Sequence, residues 1–131
     1  MKSPLHSVHA PQPIGPYSQA MRAGDFVFIS GQLGIDPEVG KITGKTAAEQ
    51  AEQVLKNIRA ILTAAGLTSD HVVKTTIFLT DMNDFGAVNE VYGDFFHDQP
   101  PARSTVAVAG LPMNARVEID VIAMRRPQTS A

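Results

Sequence analysis

Both ends of one helix can be read directly between Thr46 and Gly66. Thr46-Ala47-Ala48-Glu49 has the spacing of a capping box. The Thr46 hydroxyl can accept from the Glu49 amide, and the Glu49 carboxylate can reach back to the Thr46 amide. Behind it, Ala51, Val54, Leu55, Ile58, Ile61, Leu62 and Ala65 recur at the spacing of one helical face. Gly66 stands where a left-handed C-terminal cap belongs. A helix with one apolar stripe needs an apolar surface to lie on, and the rest of the chain must supply it.

Short β-rich runs do so. Tyr17 to Arg22 reads as a short strand turned at Ala23-Gly24-Asp25, and Phe26 to Ser30 as an apolar strand ended by Gly31. Gly34 to Gly44 reads as a loop. Val72 to Thr80 is β-branched and reads as a strand. Asn83 or Asp84 can cap a second helix with the stripe Phe85, Val88, Tyr92, Phe95 and Phe96, stopped by Pro100-Pro101. Ser104 to Ala109 and Arg116 to Met124 are further strands, joined through Gly110-Leu111-Pro112. Four prolines in residues 1–16 suggest an extended arm. The order β-β-α-β-α-β-β points to an α+β (α/β) fold, a mixed sheet with two helices on one face. At 131 residues it is one domain's worth of chain.

The last strand is two-sided. Val117, Ile119, Val121 and Ala123 suit packing under the helices. Glu118, Asp120, Ile122 and Met124 share the other face. Two carboxylates beside two large apolar residues make a poor free surface, so that face lines an interface or carries a site.

Composition narrows the chemistry. With no cysteine, disulfides, thiolate catalysis and Cys-zinc sites are excluded. His6, His9, His71 and His97 lack metal-ligand spacing, so no metal is expected. A net charge of −2, with no basic run longer than Arg125-Arg126, gives no support for a nucleic-acid or anionic-membrane partner. No apolar run reaches the roughly 18 residues of a membrane span, and the start lacks a signal-peptide core, so cytoplasmic residence is the default expectation.

Several residues have two readings. Arg103 follows Pro100-Pro101-Ala102, which restricts its placement. Its planar fork matches a carboxylate, of a ligand or of a structural salt bridge. Glu118 can orient and deprotonate a water, or pair with a neighbouring cation. Asp120 could compete for that role. Tyr17, after Pro13-Ile14-Gly15-Pro16, points into a pocket or tucks against the core. Ser30-Gly31 permits a ligand close to the backbone, or marks a bulge. Asn89, on the face of Phe85, Tyr92 and Phe96, contacts a ligand or bonds structurally.

Taken together the segments resemble the RidA (YjgF) family of reactive-intermediate deaminases over nearly the whole chain. The matching stretches are P-I-G-P-Y-S-Q-A at 13–20, I-S-G-Q-L-G at 29–34, Q-V-L-K-N-I-R-A-I-L at 53–62, V-V-K-T-T-I-F-L-T-D-M at 72–82, V-N-E-V-Y at 88–92, P-A-R-S at 101–104 and V-E-I-D at 117–120. The resemblance implies a chorismate-mutase-like fold assembled as a homotrimer with clefts between subunits. It implies hydrolysis of 2-imino acids such as 2-iminopropanoate and 2-iminobutanoate to 2-keto acids and ammonia, with no cofactor. It makes Arg103 the carboxylate clamp, Glu118 the water-positioning base and Tyr17 a pocket wall. Backbone groups near Ser30-Gly31 and Thr105, and the side chain of Asn89, become ligand contacts. Many relatives carry cysteine where this chain has Thr105. Other relatives suggest ligand-sensing, chaperone-like or nuclease roles, the last least compatible with the acidic balance.

Overall fold

A computed structural model describes residues 1–125 of the chain. Arg126, half of the expected Arg125-Arg126 pair, lies outside the described residues. In chain order the elements are β1 (Lys2–Leu5), β2 (Ala20–Ala23), β3 (Phe26–Leu33), β4 (Ile35–Asp36), β5 (Lys41–Ile42), α1 (Ala47–Ala64), β6 (Val72–Leu79), α2 (Phe85–Phe95), β7 (Ala102–Ala107) and β8 (Val117–Met124). One six-stranded sheet runs β1-β2-β3-β8-β6-β7, and β4-β5 form a separate ribbon. Among the described residues only β6 and β7 pair parallel. Parallel neighbours need a crossover, and α2 is that crossover.

Helix α1 forms as its signals predict. The Glu49 amide donates to Thr46 Oγ1 at 3.1 Å, and Glu49 Oε1 accepts from the amides of Thr46 at 3.2 Å and Lys45 at 2.8 Å. Those backbone donors hold the Glu49 carboxyl below its ordinary pKa. At the other end Leu67 N–H donates to Leu62 O and Gly66 N–H to Thr63 O, closing a Schellman motif with Gly66 at φ +76°. Every residue of the apolar stripe is buried, against β3, β8 and α2.

Two polar residues of α1 are buried beside that stripe. Gln50 donates to Gly44 O at 3.1 Å and accepts from the Arg116 amide at 2.8 Å. Asn57 donates to the carbonyls of Leu33 and Ile35. They tie the end of β3 and the start of β8 to the helix, and so position the strands that carry Gly31 and Glu118.

The structure corrects the sequence reading at several points. A strand, β1, lies within the proline-rich start and pairs with β2; Pro4 is tolerated because β1 is an edge strand. The strand read from Tyr17 begins at Ala20. Gly31 does not end β3. It sits in a bulge, where three steps on β3, Ile29 to Gln32, match two on β8, Val121 to Ile119. The 34–44 loop contains the β4-β5 ribbon. Asp84 makes no side-chain cap to α2; instead Asp81 caps the short 3₁₀ turn that leads into it. β7 begins at Ala102, which places Arg103 inside a strand.

Alternation along β8 is as the sequence implies. Val117, Ile119, Val121 and Ala123 are buried under the helices, Glu118, Asp120 and Ile122 are half-buried, and Met124 is exposed. On the same outer face Phe28 lies opposite Ile122 and Phe26 opposite Met124, with both phenylalanines more than 40% exposed. No helix among the described residues is long and apolar enough to cross a membrane.

Candidate active site

One cleft, of about 360 Å³, lies beside the β3 bulge. Glu118 reaches it from β8, Ser30 and Gly31 from the bulge, and Tyr17 from the segment before β2. The arm supplies a further wall, with Pro11, Gln12 and Ile14. What holds the arm there is Gln19, a residue the sequence reading gave no role. It is buried, accepts from the Ser7 amide at 2.7 Å, and donates to Ser7 O at 3.0 Å and Pro11 O at 2.8 Å. The only sequence signal for it was its place in the 13–20 stretch.

Within the cleft Glu118 is half-buried, and its carboxyl pKa is raised, first by burial and then by the charge of Asp120. Its carboxylate lies against Gly31, in space that a Cβ there would claim. Tyr17 is half-exposed, and its hydroxyl accepts from the Ile14 amide at 3.3 Å. Ser30 is already engaged: its Oγ donates to Ser18 O at 2.6 Å and its amide to Gln19 O at 2.9 Å. Its side chain therefore shapes the bulge.

Arg103 is elsewhere. Its guanidinium lies 4.9 Å from the Tyr92 ring centroid and 5.5 Å from that of Phe85, and donates to Asn89 Oδ1 at 2.7 Å. Tyr92 is itself fixed by a 2.7 Å bond to the buried Thr75 hydroxyl, and burial raises its phenol pKa. Asn89 is exposed, contrary to the sequence suggestion of a buried amide. Among the described residues Arg103 has no carboxylate partner, so the salt-bridge reading is not realised. Thr105, two residues on, has a buried hydroxyl with no hydrogen-bond partner among the described residues. Among the described residues β7 is paired on one side only, which leaves alternate backbone groups facing outward at the edge.

The register puts these two groups of residues apart. Arg103 pairs with Thr75, whose side chain points under α2, so Arg103 is on the helix face. Glu118 pairs with Phe78 and lies on the opposite face. Two strand spacings separate them sideways, about 10 Å, and three residues along the strand, about another 10 Å. No three- or four-carbon acid can touch both within one chain. Glu118 offers a carboxylate in a partly dry cleft on one face, and Arg103 an oriented guanidinium on the other. Among the described residues no cluster suited to a metal ion occurs.

An α+β protein with a mostly antiparallel sheet and two helices on one face is a class with solved members. The family described as Endoribonuclease L-PSP matches residues 7–125. A mouse protein named 2-iminobutanoate/2-iminopropanoate deaminase is 48% identical, over 94% of this chain and 91% of its own. A Yersinia pestis protein of the conserved Rid family, described as of unknown function, superposes with a TM-score of 0.92 at 47% identity, covering 95% of this chain and 99% of that one. Escherichia coli TdcF, solved with bound serine, gives a TM-score of 0.90 at 42% identity, covering 95% and 99%. The chain belongs to the L-PSP/YjgF family, the RidA family that its sequence resembles.

Proposed function

We propose that this protein is a cofactor-independent deaminase that hydrolyses small 2-imino acids to 2-keto acids and ammonia, each copy acting as one domain of a homotrimer. The observation that carries the reading is the oriented Arg103 fork, stacked on Tyr92 and Phe85 and lacking an acidic partner among the described residues. Such a fork suits a ligand carboxylate. The names of the mouse deaminase and of TdcF with bound serine support small amino-acid-like ligands.

In this reading Arg103 of one copy holds the substrate carboxylate over the Glu118 cleft of the next. The outer sheet face, with Phe26, Phe28, Ile122 and Met124, lies against neighbouring copies. Thr105 backbone groups at the open edge of β7 and the Gly31 bulge hold the ligand from either side, with Tyr17 as a wall. Asn89 orients the fork. The protonated imine carbon C2 is the electrophile. Glu118 accepts a proton as water adds to C2, giving a carbinolamine. Glu118 passes that proton to nitrogen and then takes the hydroxyl proton as the C–N bond breaks, so that the C2–O bond becomes the keto carbonyl and ammonia leaves. A carboxylate with a raised pKa is the stronger base for that first step. Positioning supplies most of the acceleration, because an iminium is already activated.

Mixing tests both chemistry and assembly. Arg103→Ala and Glu118→Gln chains should each be nearly inactive on imine generated by an amino-acid oxidase. Unfolded and refolded together, they should recover roughly a quarter of wild-type activity if each site takes one residue from each of two adjoining copies. Light scattering should give about three times the 14.0 kDa chain mass. No recovery, or an active monomer, would contradict the shared cleft. A wild type that accelerates no imine would leave ligand sensing as the better reading.

A further inference from the structure

Beside the Glu118 cleft lies a second hollow of about 270 Å³. The two share four walls, Pro11, Gln12, Ile14 and Ile35. Pro13, Pro37, Gly40 and Met113 complete its lining, which contains no charged residue among the described residues. Pro112 lines the first hollow and Met113, its neighbour, the second, so one short turn borders both.

That turn is unusual. Met113 has φ 59° and ψ 25°, and Asn114 φ 55°, a left-handed conformation that residues other than glycine rarely adopt. Surrounding structure has to impose it. Ala115 supplies the anchor: it is buried with Leu33 and Ile35 in a small second core, and its amide donates to Pro112 O at 3.1 Å. The Met113 side chain is thereby carried to the rim of the hollow on an imposed backbone.

We propose that this second hollow is a side-chain subsite of the same site, and that it selects imino acids with a bulky, uncharged apolar side chain over the imine of alanine. The inference rests on the deaminase reading for its chemistry. Its physical basis is separate. At about 30 Å³ per water, the hollow holds several waters but offers them few polar partners beyond Gln12. Their displacement by an apolar group is favourable. A methyl group leaves most of that space wet, whereas an isobutyl or thioether chain fills it. A carboxylate or ammonium side chain would lose its hydration there without a charge to meet.

The test compares imines generated from leucine and from alanine, with keto-acid formation followed for each. In parallel, binding of 4-methyl-2-oxopentanoate and of pyruvate is measured by calorimetry. Wild type should favour the leucine-derived imine in kcat/KM, and the larger keto acid in affinity, by at least about tenfold each. Met113→Gly keeps the left-handed backbone and removes the side chain. It should reduce both preferences to within about threefold. Ile14→Ser should act in the same direction, which guards against a fold defect in either variant. Equal handling of both imines by wild type, or a preference untouched in both variants, overturns the subsite and leaves the deaminase reading standing. A wild type that accelerates neither imine, yet binds the larger keto acid through Met113, overturns the deaminase reading and supports the subsite.

Discussion

The Glu118 carboxylate rests on the Cα of Gly31, so that a Cβ built at position 31 would stand 2.8 Å from Glu118 Cδ and closer still to Oε2. Gly31 lies in the β3 bulge, where the extra backbone length makes room for the carboxylate against the sheet. Gly31→Ala must push Glu118 aside. A displacement near 1 Å can cost about 100-fold in rate. The variant should therefore lose roughly that much in kcat/KM on small imines, while far-ultraviolet circular dichroism stays unchanged.

Arg103→Lys keeps the charge but removes the planar fork, and with it the stack on Tyr92 and Phe85. Hydrogen bonds to charged groups contribute about 1.5–3 kcal/mol each, so losing one should reduce kcat/KM at least about tenfold. Keto-acid binding should weaken in parallel, as read by calorimetry. Normal keto-acid binding by the variant would remove the clamp assignment.

Glu118 carries a pH signature with a definite sign. Its carboxyl pKa is raised in the folded chain, by burial first and by Asp120 second. A group so shifted favours folding when protonated. That contribution is fully present below the ordinary carboxylate pKa and lost as pH rises through the elevated folded value. At neutral pH the charged carboxylate therefore weighs against the fold. Glu118→Gln should raise Tm at neutral pH, and the gain should vanish toward about pH 4. The same variant should lower kcat and leave keto-acid binding largely intact. In wild type the acid limb of kcat/KM should lie above the usual carboxylate range.

Thr105 hides a hydroxyl on the helix side of β7 that has no partner among the described residues. An unsatisfied buried polar group costs about 1–3 kcal/mol. Thr105→Val should raise unfolding stability by about 1 kcal/mol in urea denaturation. Thr105→Cys should keep activity within about tenfold, since backbone groups are the proposed contacts there. A larger loss in both variants would mean that the hydroxyl takes part.

Local signals were legible in the residues themselves. The Thr46–Glu49 box, the stripe from Ala51 to Ala65 and the Gly66 cap depend on neighbours within a few positions, and α1 forms where they put it. The alternation of β8 was equally readable, because a two-residue period assigns faces without reference to any partner strand. The motif stretches also marked Arg103, Glu118 and Tyr17. Hidden from such reading were β1 within the proline-rich start, the bulge that keeps Gly31 inside β3, and the arm clamp made by Gln19, each a contact between distant parts of the chain. Above all, only the tertiary structure decided that Arg103 and Glu118 stand on opposite faces of one sheet, two strands apart. Sequence period says which residues share a face within a strand. The face a strand turns toward the helices, and which strand lies beside it, follow from register and packing, where a slip of one residue exchanges the two sides.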